Sequence, residues 1–140
     1  MVLNHPAYAV LFAFIPLVGL LIAFHNLFDT GEDYAAYKDQ ITITDSQLEF
    51  GETKSSATVD VIGTIKNTST IAWKEIEFHV DFFDATGKRM DVGEKENSYF
   101  YLPASGTSSF KVTFTREFPE SNYVKQSVSV VKAKDARAKW

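Results

Sequence analysis

The pattern of apolar and polar positions divides the chain into two parts. Residues 1–28 are almost continuously apolar and contain no Asp, Glu, Lys or Arg, so all 14 basic and 18 acidic side chains follow them. After residue 40, apolar and polar residues alternate with a period of two. A long uncharged run is typical of a membrane helix, whereas alternation is typical of half-buried antiparallel strands.

The apolar part predicts a single N-terminal transmembrane α-helix over residues 1–28. Ala7 to Phe28 would span roughly 33 Å as a helix, close to the thickness of the hydrocarbon core of a bilayer. Asn4 and Pro6 suit a helix start, and Pro16 should kink the span. A cleaved signal peptide is the alternative, but the segment lacks a basic n-region and a clean small-residue cleavage site.

The charges beside the helix give little guidance on topology, because neither flank has a basic cluster. Asp29, Glu32 and Asp33 follow the span, and the first basic residue after it is Lys38. An N-terminal anchor without downstream Lys or Arg does not resist export. We therefore expect a single-pass protein of the inner membrane, with a cytoplasmic N-terminus and a periplasmic or equivalent extracytoplasmic domain.

Small residues recur near one face of this helix, and close approach over such residues favours helix packing in lipid. The same residues also fit the ordinary abundance of Ala and Gly in membrane helices. His25 is the ionisable side chain of the span; it fits either a wetted interfacial position or an axial ligand of a haem or pigment. The predicted partner-packing face comprises Ala9, Ala13, Pro16, Gly19 and Ala23.

Residues 29–40 predict an acidic juxtamembrane linker, either a plain tether or a helical turn with Tyr34 and Tyr37 at headgroup level. Residues 41–134 predict an all-β domain, an immunoglobulin-like antiparallel β-sandwich of about seven short strands. The clearest strand alternates strictly from Glu75 to Phe82. Separate strands are predicted around Met90 and Val92 and at residues 98–103, and residues 135–140 form a basic tail.

Three pieces of this domain resemble the FxLYD family, immunoglobulin-like domains of bacterial and archaeal envelope proteins. The first is V-x-G-x-I-x-N at residues 61–67, and the second is VDFFD at residues 80–84, followed by Gly87. The third is the loop 103–106 before the F-x-V strand at Phe110. The resemblance covers roughly residues 41–132 and departs at three of the five positions of the naming motif. It implies a framework fold and brings no catalytic residues.

Composition narrows the function classes. A net charge of −4 and a pI near 5.3 argue against a nucleic-acid binder, and the lack of cysteine excludes disulfides, thiolate metal sites and cysteine nucleophiles. Glu77, His79 and Asp81 lie in one row of a strand, where they are either a weak metal or proton site or a solvated face. No phosphate-binding loop is recognisable, and we expect no catalytic residues, metal or cofactor.

Together these features predict a non-catalytic accessory subunit of an integral membrane complex, of respiratory or photosynthetic type, whose partners are that complex and the lipid bilayer. A free-standing envelope module that binds a soluble ligand or protein is the alternative, and a cofactor-bearing subunit using His25 is a third possibility. No small-molecule substrate is expected. In the basic tail, a contact with headgroups or with an acidic partner would use Arg137, Lys139 and Trp140.

Overall fold

The computed structural model describes residues 31–138, which form one compact unit. The predicted membrane helix lies outside the described residues. Within residues 31–138, no helix is long and apolar enough to cross a membrane. The described unit contains three single-turn 3₁₀ helices and six β-strands. The strands are β1 (Ile41–Glu52), β2 (Ala57–Asn67), β3 (Trp73–Phe83), β4 (Arg89–Leu102), β5 (Thr107–Thr115) and β6 (Lys125–Asp135).

The six strands form two antiparallel three-stranded sheets. One sheet has the order β1-β2-β5 and the other the order β4-β3-β6, so β2 and β3 are the central strands. The all-β prediction is confirmed, but the expected number of strands was about seven. The segment around Met90 and residues 98–102 of the second predicted segment belong to one strand, β4, which pairs with β3 at both ends.

The core lies between the two central strands, and its residues are those that the alternation predicts. Val59, Val61 and Ile65 of β2 are fully buried, as are Phe78 and Val80 of β3. Burying one such side chain contributes about 1.5–3 kcal/mol. The aromatic rings then close the gap between the sheets: Phe78 stacks on Phe110 at a centroid distance of 4.6 Å and meets Phe100 edge-on at 5.7 Å.

Gly63 shows why β2 needs a residue without a side chain at one inward position. A Cβ atom on this glycine would lie 2.3 Å from the backbone oxygen of Asp45 and 2.8 Å from Cζ of Phe110. Neither distance is sterically possible, and the obstacle on one side is backbone. The glycine therefore lets β1 and the Phe110 ring approach β2 closely.

The burial of β3 follows the alternation predicted from Glu75 to Phe82, but the backbone of Glu75 itself has a φ of 50°. The pairing with β4 shifts between Lys74 and Ile76, and three residues of β4 lie opposite this single position. Lys74 and Glu75 are consequently both half-buried on the way from Trp73 to Ile76. In the pairing with β4 the extra residues belong to β4, but in the pairing with β6 Glu75 and Ile76 lie opposite the single residue Ala133. Glu75 is therefore part of a β-bulge of β3, the central strand of its sheet.

At this bulge we expect a glycine variant to be more stable than an alanine variant, which is the reverse of the usual order within a strand. Glu75→Gly should be more stable than Glu75→Ala by about 1 kcal/mol, because a left-handed backbone costs any residue with a Cβ atom and costs glycine almost nothing. Both variants lose the same 3.3 Å ion pair with Lys134, so it cancels in the comparison. Chemical denaturation of both variants measures the difference; an alanine variant as stable as the glycine variant would contradict a strained Glu75.

The direction of the strands defines the two ends of the sandwich. The proximal pole, as we call it, carries residues 31–40, the loops 68–72 and 103–106, and residues 136–138. The opposite end carries the turns 53–56 and 84–88 and the loop 116–124. Both ends of the described chain therefore lie at the proximal pole, where the candidate site is built.

Candidate functional site

Residues 31–40, which we call the strap, fold onto the sandwich at the proximal pole. Two 3₁₀ turns, Tyr34–Ala36 and Lys38–Gln40, place the rings of Tyr34 and Tyr37 against Trp73. The ring centroids lie 5.5 Å and 5.6 Å from Trp73, and Tyr34 meets it edge-on. Such pairs contribute about 0.5–1.5 kcal/mol each beyond the area they bury. Of the linker predicted at residues 29–40, the described part is thus packed on the domain.

Tyr34 also makes a polar contact with the edge of the second sheet. Its hydroxyl donates to the backbone oxygen of Val130 over 3.3 Å. Burial, with a smaller contribution from the Asp39 carboxylate, raises the pKa of Tyr34 to about 12. The Tyr34 hydroxyl is therefore neutral throughout the physiological pH range. The side chain is partly buried at the surface of the domain.

Asp135, at the end of β6, clamps the start of the strap. Its Oδ2 atom accepts the backbone N–H of Glu32 at 2.9 Å and the Nη2 atom of Arg137 at 2.6 Å. Its Oδ1 atom accepts the backbone N–H and the Nε atom of Arg137 at 2.9 and 3.0 Å. The Arg137 guanidinium and the two backbone N–H groups hold the pKa of Asp135 at about 2, although burial opposes them. The carboxylate is therefore ionised, 1% exposed and fully hydrogen-bonded.

Gly31 lets the strap approach this carboxylate. Its φ of 75° lies in the left-handed region, and a Cβ atom there would lie 2.6 Å from Cβ of Asp135 and 3.0 Å from Cβ of Ala138. The conformation and the space both require glycine. The start and the end of the described chain are consequently held side by side.

Trp73 lies beneath the strap with an unsatisfied donor. The residue is fully buried, and its indole Nε1 atom has no hydrogen-bond partner among the residues that the structure describes. A buried donor without a partner costs about 1–3 kcal/mol. The contact between the strap and the sandwich therefore contains both favourable ring packing and one unfavourable polar burial.

A second buried polar group of the proximal pole is Asn67, which ends β2. Its Nδ2 atom donates to the backbone oxygens of Ile71 and Pro103 at 2.7 and 2.9 Å. Its Oδ1 atom accepts the backbone N–H and the hydroxyl of Ser69 at 2.9 and 2.7 Å. One side chain thus joins the loop after β2 to the loop after β4. Because Asn67 is 1% exposed, the formal glycosylation sequon at residues 67–69 is inaccessible.

Two shallow grooves run along the open sides of the sandwich. One of about 450 Å³ lies beside the strap, between the start of β1 and the middle of β6, and is lined by Tyr34, Ile41, Ile43, Val128 and Val130 among others. The other, of about 290 Å³, lies between β4 and β5. It is bordered by Tyr99, whose side chain is 98% exposed. Both grooves mix apolar and polar lining.

The row predicted on β3, Glu77, His79 and Asp81, makes contacts with a neighbouring strand that the sequence pattern did not predict. His79 contacts Asp81 at 3.4 Å through Nε2, as the spacing suggests, but its Nδ1 lies 2.9 Å from Glu94 of the neighbouring strand. Arg89 pairs with Asp81 at 3.1 Å. Within residues 31–138, no group of three or more acidic or histidine side chains is arranged to hold a metal ion. His79 and Asp81 of the row belong to a surface network of polar contacts with Arg89 and Glu94.

The residues of the FxLYD-like motif have framework positions in this structure. Val80 and Phe82 are core residues. Asp84 accepts hydrogen bonds from the N–H groups of Thr86 and Lys88 and from the Thr86 hydroxyl, which together lower the pKa of its carboxyl group. Gly87 closes the turn with a φ of 81°. Packing and turn formation account for each of these residues.

Comparison with known proteins gives only distant structural similarity. No protein-family model and no curated protein matches the chain. The X-ray structure of the Northeast Structural Genomics Consortium target SoR45 matches with a TM-score of 0.40 and 17% identity, covering 69% of this chain and 84% of that one. A DUF1425 family member from Shewanella sp. pv-4 matches with a TM-score of 0.37 and 14% identity, covering 66% and 94%. At these values neither carries information on what this chain binds.

Of the residues predicted from sequence to contact a partner, the structure describes one, Arg137, which holds Asp135. The packing face of the predicted helix, His25, Lys139 and Trp140 lie outside the described residues. The roles of Trp73 and Asp135, and the strap as a unit, were not predicted from the sequence. The available signals were the spacing of Tyr34 and Tyr37, which places two aromatic rings on one side of a helical turn, and Gly31 beside them.

Proposed function

We propose that this protein is a non-catalytic, single-pass accessory subunit of a larger bacterial membrane complex, of respiratory or photosynthetic type. Residues 1–28 would cross the inner membrane and pack on the complex through Ala9, Ala13, Pro16, Gly19 and Ala23. The sandwich, an immunoglobulin-like domain of the FxLYD type, would cover the periplasmic face of the complex.

The observation that carries this proposal is the strap. A domain that only needs to be tethered to a membrane can be joined to its anchor by a free polar segment. Here the segment that follows the apolar stretch is packed on Trp73 and clamped by Asp135 instead. A fixed junction suits a domain that must hold one position on a host.

The use of the polar clusters also supports a structural role. Asp135 and Arg137 hold the strap, Asn67 joins two loops, and His79 belongs to a surface network of ion pairs. Each cluster is explained by the stability of the fold. The proposal therefore assigns this chain no substrate and no cofactor.

Substitutions in the predicted helix test the subunit role. Replacing Gly19 and Ala23 with Leu should release the protein from its host, because added bulk prevents close helix approach. We expect the fraction that co-migrates with a large particle to fall about tenfold, which corresponds to about 1.4 kcal/mol. The measurement is size-exclusion chromatography after mild solubilisation of native membranes.

A double variant on the predicted opposite face, Val18→Leu with Ile22→Leu, is the matched control and should stay with the particle. If the unaltered protein itself migrates alone, the subunit role is wrong. Oriented-vesicle proteolysis measures the topology, and an absorption spectrum of the purified protein tests the separate hypothesis that His25 binds a haem or pigment.

The second candidate function is a free-standing envelope module that binds a soluble ligand or protein. The observation that favours it is a pair of exposed tyrosines on β4, Tyr99 (98% exposed) and Tyr101 (56% exposed), of which Tyr99 lines the groove between β4 and β5. Tyrosine is enriched in protein interfaces. Binding by such a module would be insensitive to the Gly19 and Ala23 substitutions, which separates the two functions.

A further inference from the structure

We propose that the strap is a latch, which detaches from Trp73 and recloses while the two sheets remain folded. The closed state is the one that the structure shows. The open state would expose the indole ring of Trp73 and the end of the groove between β1 and β6. The closed strap is the packed junction that supports the proposed subunit role, and the open state is a less populated alternative in which that junction is released.

The strap has the features of a segment that opens locally. Seven of its ten residues are exposed, and its partly buried residues are Gly31, Tyr34 and Tyr37. Its polar ties to the sandwich include the N–H of Glu32 and the bridge from Asp33 to Lys134 near its start. Near its end, the backbone oxygen of Gln40 accepts from the N–H and hydroxyl groups of Thr68. Between these ends, the hydroxyl of Tyr34 makes a long bond of 3.3 Å to Val130. Segments with few buried contacts open at a lower free energy than the core.

Trp73 supplies a physical reason for opening. While the strap is closed, the buried Nε1–H group has no acceptor within residues 31–138. When the strap detaches, water or the carbonyl group of a partner segment can accept this hydrogen bond. The closed state is thus disfavoured by a group that the open state satisfies, which brings the two states closer in free energy.

Asp135 holds the latch closed, and it does so independently of pH in the physiological range. Its Oδ2 atom accepts hydrogen bonds both from the N–H of Glu32 on the strap and from the Arg137 guanidinium. The neighbouring bridge between Asp33 and Lys134 extends β6 by one residue pair onto the strap. Any event that pulls Glu32 away from Asp135 would therefore release the N-terminal end of the strap first.

Two glycines offer a matched test. Gly31→Ala and Gly87→Ala both place an alanine at a positive φ, 75° and 81°, but only the first brings a Cβ atom against Asp135, since nothing lies within 4 Å of Gly87. The test uses full-length protein carrying Trp140→Phe, which leaves Trp73 as the single tryptophan. Acrylamide quenching of its fluorescence measures exposure. We expect Gly31→Ala to raise the quenching constant several-fold and Gly87→Ala to leave it unchanged.

Hydrogen exchange of the unaltered protein is the second measurement, and it does not depend on the folding of a variant. The amides of Tyr37 and Gln40, bonded within the strap, should exchange at rates insensitive to low denaturant concentrations. Amides in the middle of β3 should exchange only through global unfolding. Their exchange rates should therefore rise as denaturant lowers the free energy of unfolding. If strap and β3 amides exchange together, or if Trp73 is equally quenched in both glycine variants, the strap is a fixed part of the fold and the latch is wrong.

Discussion

Asn67→Ala is expected to lower the free energy of unfolding by about 3 kcal/mol, the largest effect of any single polar substitution in the described domain. The alanine removes two donors and one acceptor from a site that is 1% exposed. The backbone oxygen of Pro103 and the N–H of Ser69 would then lose this side-chain partner, and the oxygen of Ile71 would keep only the Ser69 hydroxyl at 3.1 Å. Chemical denaturation of the full-length protein measures the change.

Asn67→Asp separates hydrogen bonding from packing. The aspartate has nearly the same shape, but it replaces the donating Nδ2 atom with an acceptor that faces two carbonyl oxygens. We expect it to be at least as destabilising as the alanine. Asn122→Ala, at an exposed position of the loop before β6, should change stability by less than about 0.5 kcal/mol. A tolerated aspartate would show that the amide is not the group that joins the two loops.

Asp135→Asn is expected to cost about 2 kcal/mol at neutral pH, because a buried carboxylate with four hydrogen-bond donors becomes a neutral amide that must point one donor at another. The same number follows from the pKa. A carboxyl group with a pKa near 3.8 when unfolded and about 2 when folded stabilises the folded state by about 2 kcal/mol once it is ionised in both.

The pH dependence has a defined sign. Because the folded pKa is the lower one, the contribution is complete above about pH 5 and is lost as the pH falls through 3.8 toward 2. The stability difference between the unaltered protein and Asp135→Asn should therefore shrink over this range. Asp45→Asn removes the same charge from an exposed position and is the control. A difference that stays constant down to about pH 2 would show that the amide acts through packing and not through charge.

The sequence predicted the sheets well because burial in a strand leaves a pattern of period two. Val59, Val61 and Ile65 show it, and so do Phe78, Val80 and Phe82. The sequence pattern predicted two strands in place of β4 because the middle of β4 is charged. An edge strand exposed to solvent can carry Glu94, Lys95 and Glu96 while its backbone still pairs with β3. The bulge at Glu75 left no trace in the pattern, since a polar residue was expected there in any case.

The candidate site was far less predictable. Asp135 looked like part of a basic tail, and Tyr34 and Tyr37 looked like residues of a linker. Their roles depend on partners far along the chain. Glu32 and Asp135, for example, are 103 positions apart in the sequence. The strength of a charge or a ring depends on its burial and its neighbours, and no local pattern encodes either.

The sequence by itself determined where the charged part of the chain begins, that this part is an all-β domain, and which strand faces are buried. These properties follow from hydrophobic periodicity, which is local. The tertiary structure alone decided that Trp73 lies beneath the strap, that Asp135 clamps it, and that Asn67 joins two loops. These properties arise because folding brings distant groups out of water together, where a hydrogen bond made or missing carries most of its energetic weight.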